Sequence, residues 1–512
     1  MSTNSLQAAA APTPGSTTED EFELEQQTRC QEEEPRSGSA TPDVIANVVT
    51  LEDVPPDGGY GWVITACVFL ANSHTWGINS SWAVLLGTYS IFCLLLDPDM
   101  TANLLTQEHF LSKDAFPGTS KFEYALVGGL SISQALIVGP LVVACQGWLG
   151  TRLTMLLGGV VIFAALFSAS ASTEVWHLMI SQGLCFGYGM GFVYLPATEV
   201  LPHWFSSHRS LAVGLATSGA GIGGLVYSLI TGRLIQALGF VWTYRILGAC
   251  SLTMITISAL LIKERRKGTK KSRGRPFNPH HFGRIEILLV VCWGFVTELG
   301  YIALLYSLPT YATSIGLNAT QGSVVQAMLN LGLGVGRPVV GYYSDKVGRI
   351  NMAMTMTWFC AFLCFAIWIP AHSYPMLITF ALLVGMTVGT FWSAVSPVLA
   401  EIAGLVELGS ILGSIFLALV VPTTFAEAIA MQLVQGTSNF GDFLSSQIFT
   451  GCMFVIGALA LFLLRSWKIA DTERKAASEA RHALTTSAAT VSSRAGPSFW
   501  LTPRRAFRLE RV

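Results

Sequence analysis

The chain is 512 residues long, 52% hydrophobic and only 12% charged, with a mean hydropathy of +0.53. Soluble domains carry roughly 25% charged residues, so this composition excludes an ordinary soluble enzyme and points to lipid as the main solvent. The net charge of −1 hides a segregation: twelve acidic and two basic residues in 1–59, nine Lys/Arg and one acid in 263–284, and ten basic residues from Arg465 onward.

Residues 1–58 are rich in Ser, Thr, Pro, Glu and Gln and read as a disordered acidic tail, without the basic start and apolar core of a signal peptide. The tail runs into PPDGGYGW (55–62). Here Asp57 can cap a helix N-terminus, Gly58 and Gly59 permit a close turn, and Tyr60 and Trp62 suit the depth where amphipathic rings anchor a membrane helix.

A bilayer core takes about 20 apolar residues per helix. On that measure the spans are 62–86, 122–145, 153–172, 175–197, 209–231, 240–262, 285–309, 322–343, 351–370, 375–399, 407–430 and 446–465, twelve in two sets of six. The first apolar run continues from Trp62 to Leu96, 35 residues, so Ile91–Thr106 reads as an insertion: a gene-model artefact or an outer flap. Arg152, Arg209, the central cluster KERRKGTKKSRGR, Lys346 and Arg349 all fall in even-numbered connections, which places them, and both termini, in the cytosol. The resulting organisation is a tail (1–58), a six-helix bundle (59–262), a basic cytosolic loop (263–284), a second bundle (285–466) and a basic cytosolic tail (467–512). Between hydrophobic helices the central cluster reads as a topology signal rather than a nucleic-acid patch.

Two loops relate the halves: GWLGTRLTM (147–155) and GYYSDKVGRINM (341–352) align weakly. In the second, Asp345 can accept hydrogen bonds from Arg349 or from a neighbouring helix end and so latch that side of the bundle. The first copy lacks the aspartate, so the latch is expected on one side only. Small residues cluster at GLATSGAGIGG (214–224), LGLGVGRP (331–338) and LGSILGSIF (408–416), where helix backbones could approach and slide.

An ionisable group inside a span is a functional candidate. Arg337 in span eight offers a planar fork that fits a carboxylate. Glu298 lies mid-span in WGFVTELGY and must face the interior, be protonated or pair. His74 in span one is a packing histidine or a proton carrier. Trp76, Trp82, Tyr301, Tyr306 and Trp392 lie on the helices that would line a cavity, which favours a larger, partly aromatic, weakly acidic solute. The ten cysteines show no zinc or disulfide spacing, and no nucleophile triad, metal cluster or phosphate loop emerges. No enzyme, cofactor or metal is expected. Asn318-Ala-Thr320 forms a glycosylation sequon.

The Gly-x-x-x-Asp-Lys-x-Gly-Arg pattern at 341–349 resembles the loop signature of the major facilitator superfamily. PPDGGYGW and WFSSHRSLAVGLATSG (204–219) resemble the two signatures of its monocarboxylate porter family, and Tyr60 with GRPVVGYYSDKVGR is most similar to the fungal branch. The resemblance covers roughly residues 55–465. It implies an all-α membrane protein of twelve transmembrane helices in two six-helix bundles that works by alternating access. It also implies that Arg337 meets an anionic substrate and that Asp57, Gly58, Gly59, Arg209, Asp345 and Arg349 take part in gating. Leu333 and Ser80 stand where lactate-type carriers place an aspartate and a lysine, so proton/lactate symport is not expected. Glu298 and His74 are the candidates for a replacement proton relay. The implied activity is export of a secondary metabolite. The alternatives are uptake of a monocarboxylate or riboflavin-like solute, and a non-transporting nutrient sensor. The implied partners are a small organic solute, protons and lipid, not nucleic acid; the location is the cell membrane, or alternatively the vacuolar membrane.

Overall fold

The computed structural model describes residues 55–85, 121–265, 279–434 and 443–487, and every regular element among them is helical. The tail 1–54, the segment 91–106, most of the central basic loop and the last 25 residues lie outside the described residues. So do the side chains of Trp82 and Tyr306.

Span one is two helices, α1 (Tyr60–His74) and α2 (Trp76–Leu85), broken at Thr75 with φ −113° and ψ −78°. The Thr75 hydroxyl donates back to the Ala71 carbonyl at 2.8 Å. Next come α3 (Lys121–Ile137) and α4 (Gly139–Ala169), the latter bent at Gly150, φ 81°. α5 (Val175–Leu178) leads through a wide π turn, Met179–Cys185, into α6 (Phe186–Val200). α7 (Arg209–Leu261) is two spans meeting at Gly239, φ 77°. The second half holds α8 (Ile285–Ser314), α9 (Ala319–Val347) and α10 (Arg349–Leu363). α11 (Tyr374–Val388), α12 (Thr390–Ile402), α13 (Leu408–Leu433) and α14 (Leu444–Ser487) follow. Gly348 joins α9 to α10 at φ 111°. Gly150 and Gly348 occupy matching places in the two aligned loops, and both supply the positive φ that only glycine adopts freely.

Among the described residues nine helices are long and apolar enough to cross a membrane. The three sequence spans outside that set each have a physical reason. Span one is cut at Thr75, and α3 has only 17 residues. α9 runs for 29 residues but carries Gln326, Asn330 and Arg337. Trp148, Trp242, Leu260, Phe362 and Phe425 are exposed on outer faces, an apolar surface suited to lipid rather than water. Asn318 starts α9 with a capping box: its side chain accepts from Gln321 N at 2.7 Å, and the Gln321 side chain accepts from Asn318 N at 3.1 Å.

The first half packs around Ile64, Val68, Phe186, Met190 and Ile255. Trp293, Phe391, Ile415 and Leu461 centre a second core that also takes in Leu136, Val142 and Leu195, so apolar packing crosses between the halves. Small residues make this possible. A Cβ on Gly214 would lie 2.4 Å from the Arg337 carbonyl oxygen, and one on Gly341 2.4 Å from that of Ser210, so α7 and α9 touch backbone to backbone. A Cβ on Gly221 would meet Gly334 N at 2.7 Å. Across the bundle Gly139 faces Gly413, and the Ser133 and Thr424 hydroxyls pair at 2.7 Å. All three small-residue runs therefore lie at contacts between the halves.

Candidate functional site

Asp57 adopts φ 53°, the left-handed conformation that side chains other than glycine rarely take. That places its carboxylate over the turn before α7, not over its own helix, whose Gly59 cap has no side-chain hydrogen bond. Ser206 N donates to it at 2.6 Å, Ser207 N at 2.8 Å, and the Ser206 hydroxyl donates to Oδ2. Burial alone would raise this carboxyl, but the Ser206 hydroxyl and the N–H groups of Ser206, Ser207 and His208 outweigh it and hold it at about 2. The sequence reading of Asp57 as an N-cap holds for the wrong helix: the carboxylate serves the approach to α7.

Asp345, from the second half, caps α7 itself. Its Oδ1 accepts from Ser210 N at 3.0 Å and its Oδ2 from Leu211 N at 2.8 Å, the second and third residues of the helix. This is an N-cap supplied in trans, where the helix dipole favours negative charge. Arg349 holds the carboxylate from its own side at 3.6 Å, reaches Glu401 at 3.3 Å and donates to the Ser206 carbonyl at 2.7 Å. Arg209 is buried and donates from Nε to the Phe205 carbonyl at 2.9 Å. Gly58 and Gly59 have open space around them, and Gly59 takes φ 58°. The six residues singled out from sequence thus gather at one end of the bundle, around the start of α7.

A second acid lies at a contact between the halves. A Cβ on Gly409, in the first turn of α13, would lie 2.6 Å from the Glu199 carboxylate of α6, so an acid of the first half sits against the first turn of a second-half helix. Glu199 escaped the sequence reading because it stands just past span four, outside the loop motif.

Beyond this charged end lies a cavity lined by α1, α2, α3, α6, α7, α8, α9 and α12, with about 850 Å³ of empty space when its opening to solvent is included. Arg337 and Glu298 both line it, 7% and 2% exposed. Arg337 sits two turns before Asp345 on the same helix. One guanidinium nitrogen donates to the Thr217 carbonyl at 2.6 Å, and Nε has no partner. The head group fits because position 389 is glycine: a Cβ there would lie 2.7 Å from Nε. Arg337 enters none of the ion pairs found among the described residues. Glu298 instead has the Trp392 indole as its hydrogen-bond partner, and it shares electrostatic contact with Arg337, Tyr194 and Tyr301.

His74 is not among the lining residues. Its ring hydrogen-bonds the Tyr227 hydroxyl, and its carbonyl accepts from Ser251 at 2.9 Å, which ties α1 to α7. Trp76, Tyr301 and Trp392 do line the cavity, as does Tyr194, which sequence reasoning missed. Tyr194 belongs to a motif-free stretch, and only packing against Trp76 and Trp392 reveals it. Asn318 is exposed, consistent with its cap role. Among the described residues no His, Cys, Asp or Glu cluster could hold a metal.

The family model "Major Facilitator Superfamily" matches residues 61–353 and 290–509. The chain is 35% identical over 447 residues to the Saccharomyces cerevisiae protein described as "Uncharacterized transporter ESBP6", covering 83% of this chain and 62% of that protein's length. It is 32% identical to "Probable transporter MCH2" of the same yeast, covering 82% and 85% of the two chains. It is 25% identical to the "Fujikurins efflux protein" of Gibberella fujikuroi, covering 80% and 83%. Among solved structures, the E. coli fucose:proton symporter FucP superposes with a TM-score of 0.56 at 13% identity, over 79% of this chain and 99% of that one.

Proposed function

The chain belongs to the Major Facilitator Superfamily, membrane-embedded transporters rather than enzymes, and from that premise we propose a secondary active transporter of the monocarboxylate-porter type that exports an organic anion or weak acid. The observation that carries this reading is Arg337: a buried guanidinium lining a central cavity that enters none of the ion pairs among the described residues, with Glu298 the acid in electrostatic contact with it. A cation so placed is costly unless something anionic visits it. Two six-helix bundles rock about that cavity. The charged end, with Asp57, Gly58, Gly59, Arg209, Asp345 and Arg349, is the cytosolic gate, and its closed state faces the cavity outward. The positive-inside distribution of Lys and Arg supports this sidedness. Export is favoured by the relative described as an efflux protein, and the cell membrane is the corresponding location.

Glu298 carries the coupling proton. Releasing an anion from Arg337 leaves a buried positive charge, and a deprotonated Glu298 in the same cavity offsets it. His74, tied to Tyr227, stands outside that exchange. The test is flux of a radiolabelled acid panel in proteoliposomes holding the full chain. Arg337→Gln should lower flux about 100-fold, the loss of a charge-assisted bidentate pair. Glu298→Gln should keep exchange but remove the acceleration by a pH gradient. Undiminished flux in Arg337→Gln overturns the recognition role. No flux of any acid overturns transport in favour of a sensor.

A further inference from the structure

Buried donors in folded proteins are nearly always hydrogen-bonded. Three that are not belong to residues lining the same cavity. They are Arg337 Nε, Trp76 Nε1 and the Tyr194 hydroxyl. The Thr198 hydroxyl beside Tyr194 donates its own proton to the Tyr194 carbonyl at 2.8 Å, so its oxygen is the weak internal acceptor that a ligand would replace. Arg337 and Tyr194 are 7% and 5% exposed. Of the other unpartnered groups, Trp293 Nε1 and Trp368 Nε1 stand singly in packed cores, and Ser210 Oγ and Arg349 Nε lie at the charged end. Each unpaired buried donor costs about 1–3 kcal/mol, so a concentration around one cavity calls for a ligand rich in acceptors.

Two of the lining amides are partly committed. The Asn72 amide nitrogen donates to the Val68 and Ala216 carbonyls, both at 3.0 Å, and Asn79 Oδ1 accepts from Ser131 at 2.6 Å. The unpartnered donors stand beside the carboxyl group of Glu298 and a set of rings. Trp76 from α2 meets Trp392 from α12 at 5.5 Å between centroids and Tyr194 from α6 at 5.4 Å. Tyr194 stacks on Phe416 of α13 at 5.9 Å and 21°. This ring wall joins the two halves, and a flat conjugated solute finds on it the offset or edge-on contacts that aromatic faces favour.

We propose that the cavity recognises planar, conjugated organic acids whose acidic group stands beside a second hydrogen-bond acceptor, as in an o-hydroxyaryl carboxylate or an enolised β-dicarbonyl. Arg337 takes the charge, and Trp76 Nε1 and the Tyr194 hydroxyl take the adjacent acceptor. The Trp76–Trp392–Tyr194 wall takes the plane. The proposal rests on the transport reading only for its physiological sense; binding is measurable alone.

The experiment is calorimetric titration of the purified full chain with a hydroxynaphthoate bearing acid and phenol on neighbouring carbons. Comparators are naphthol, cyclohexanecarboxylate and xylose. The hydroxynaphthoate should bind at least tenfold more tightly than each comparator. Trp76→Phe and Tyr194→Phe keep the rings and delete one donor each, so each should weaken binding about three- to tenfold. The comparators should not respond to either variant. Equal affinity for cyclohexanecarboxylate, no binding, or unchanged affinity in both variants overturns the proposal. If the hydroxynaphthoate binds with this signature but no acid crosses proteoliposome membranes, the site stands and the transport reading fails. If cyclohexanecarboxylate crosses while the hydroxynaphthoate neither binds nor crosses, transport stands and the proposed class falls.

Discussion

The charged end and the cavity treat polar groups in opposite ways. At the charged end the carboxylates are supplied from within the chain: Asp57 accepts from two N–H groups and a hydroxyl, and Asp345 from two helix N–H groups with Arg349 behind it. In the cavity, donors on Arg337, Trp76 and Tyr194 go without partners. Carboxylates saturated from within the chain hold a conformation, whereas unsaturated donors on a cavity wall leave bonds for a ligand to complete. On the proposed roles, chemically similar groups divide the labour of gate and site, and burial alone does not tell the two apart.

The strongest way to break this contrast is to wedge the seam that joins the two regions. Gly214→Val places a Cβ against the Arg337 carbonyl, backbone facing backbone, with no side chain able to yield. Flux should fall about 100-fold or more, in line with overpacking costs of roughly 1–3 kcal/mol or higher when backbone must move. The protein should still elute as a monodisperse species, and normal flux would show that α7 and α9 need not meet.

Asp345→Asn is the next test. It keeps the shape, removes the charge and leaves one acceptor oxygen where two now accept from the start of α7. Charge-assisted bonds are worth about 1.5–3 kcal/mol, so hydrogen exchange at Ser210 and Leu211 should accelerate about ten- to 100-fold. Exchange at an unchanged rate would make the latch ornamental.

Asp57 gives the smallest effect, and a directional one. Its folded pKa of about 2 lies below the ordinary 3.8, so its contribution is complete above pH 3.8 and is lost as pH falls toward 2. Protection of the Ser206 and Ser207 amides should accordingly be flat from pH 5 to neutrality and decline only in acid. A decline near pH 6 would assign the capping role to another group.

Much of this was legible in the sequence. The helical class, the small-residue seams and the gathering of Asp345, Arg349, Arg209 and Asp57 follow from composition, spacing and motif, because each of those features acts locally. What stayed hidden depends on contacts between distant segments. Tyr194 looks like any span-four aromatic until Trp76 and Trp392 close on it. Glu199 comes against the start of α13 only because Gly409 leaves room, and Gly389 matters only because Arg337 fills the space beside it. His74 is the converse case: the sequence leaves it a packing histidine or a proton carrier, and the structure shows it bonded to Tyr227 within the first half, away from the cavity lining.

Arg337 and Asp345 stand eight residues apart on α9, about 12 Å along one rod. On the roles proposed for them, a change that re-aims the guanidinium toward a different cargo also shifts the rod that carries the seal. Selectivity and leakiness then form a single mechanical trait, and a lineage broadening its range of cargo would have to repair its closure in the same step.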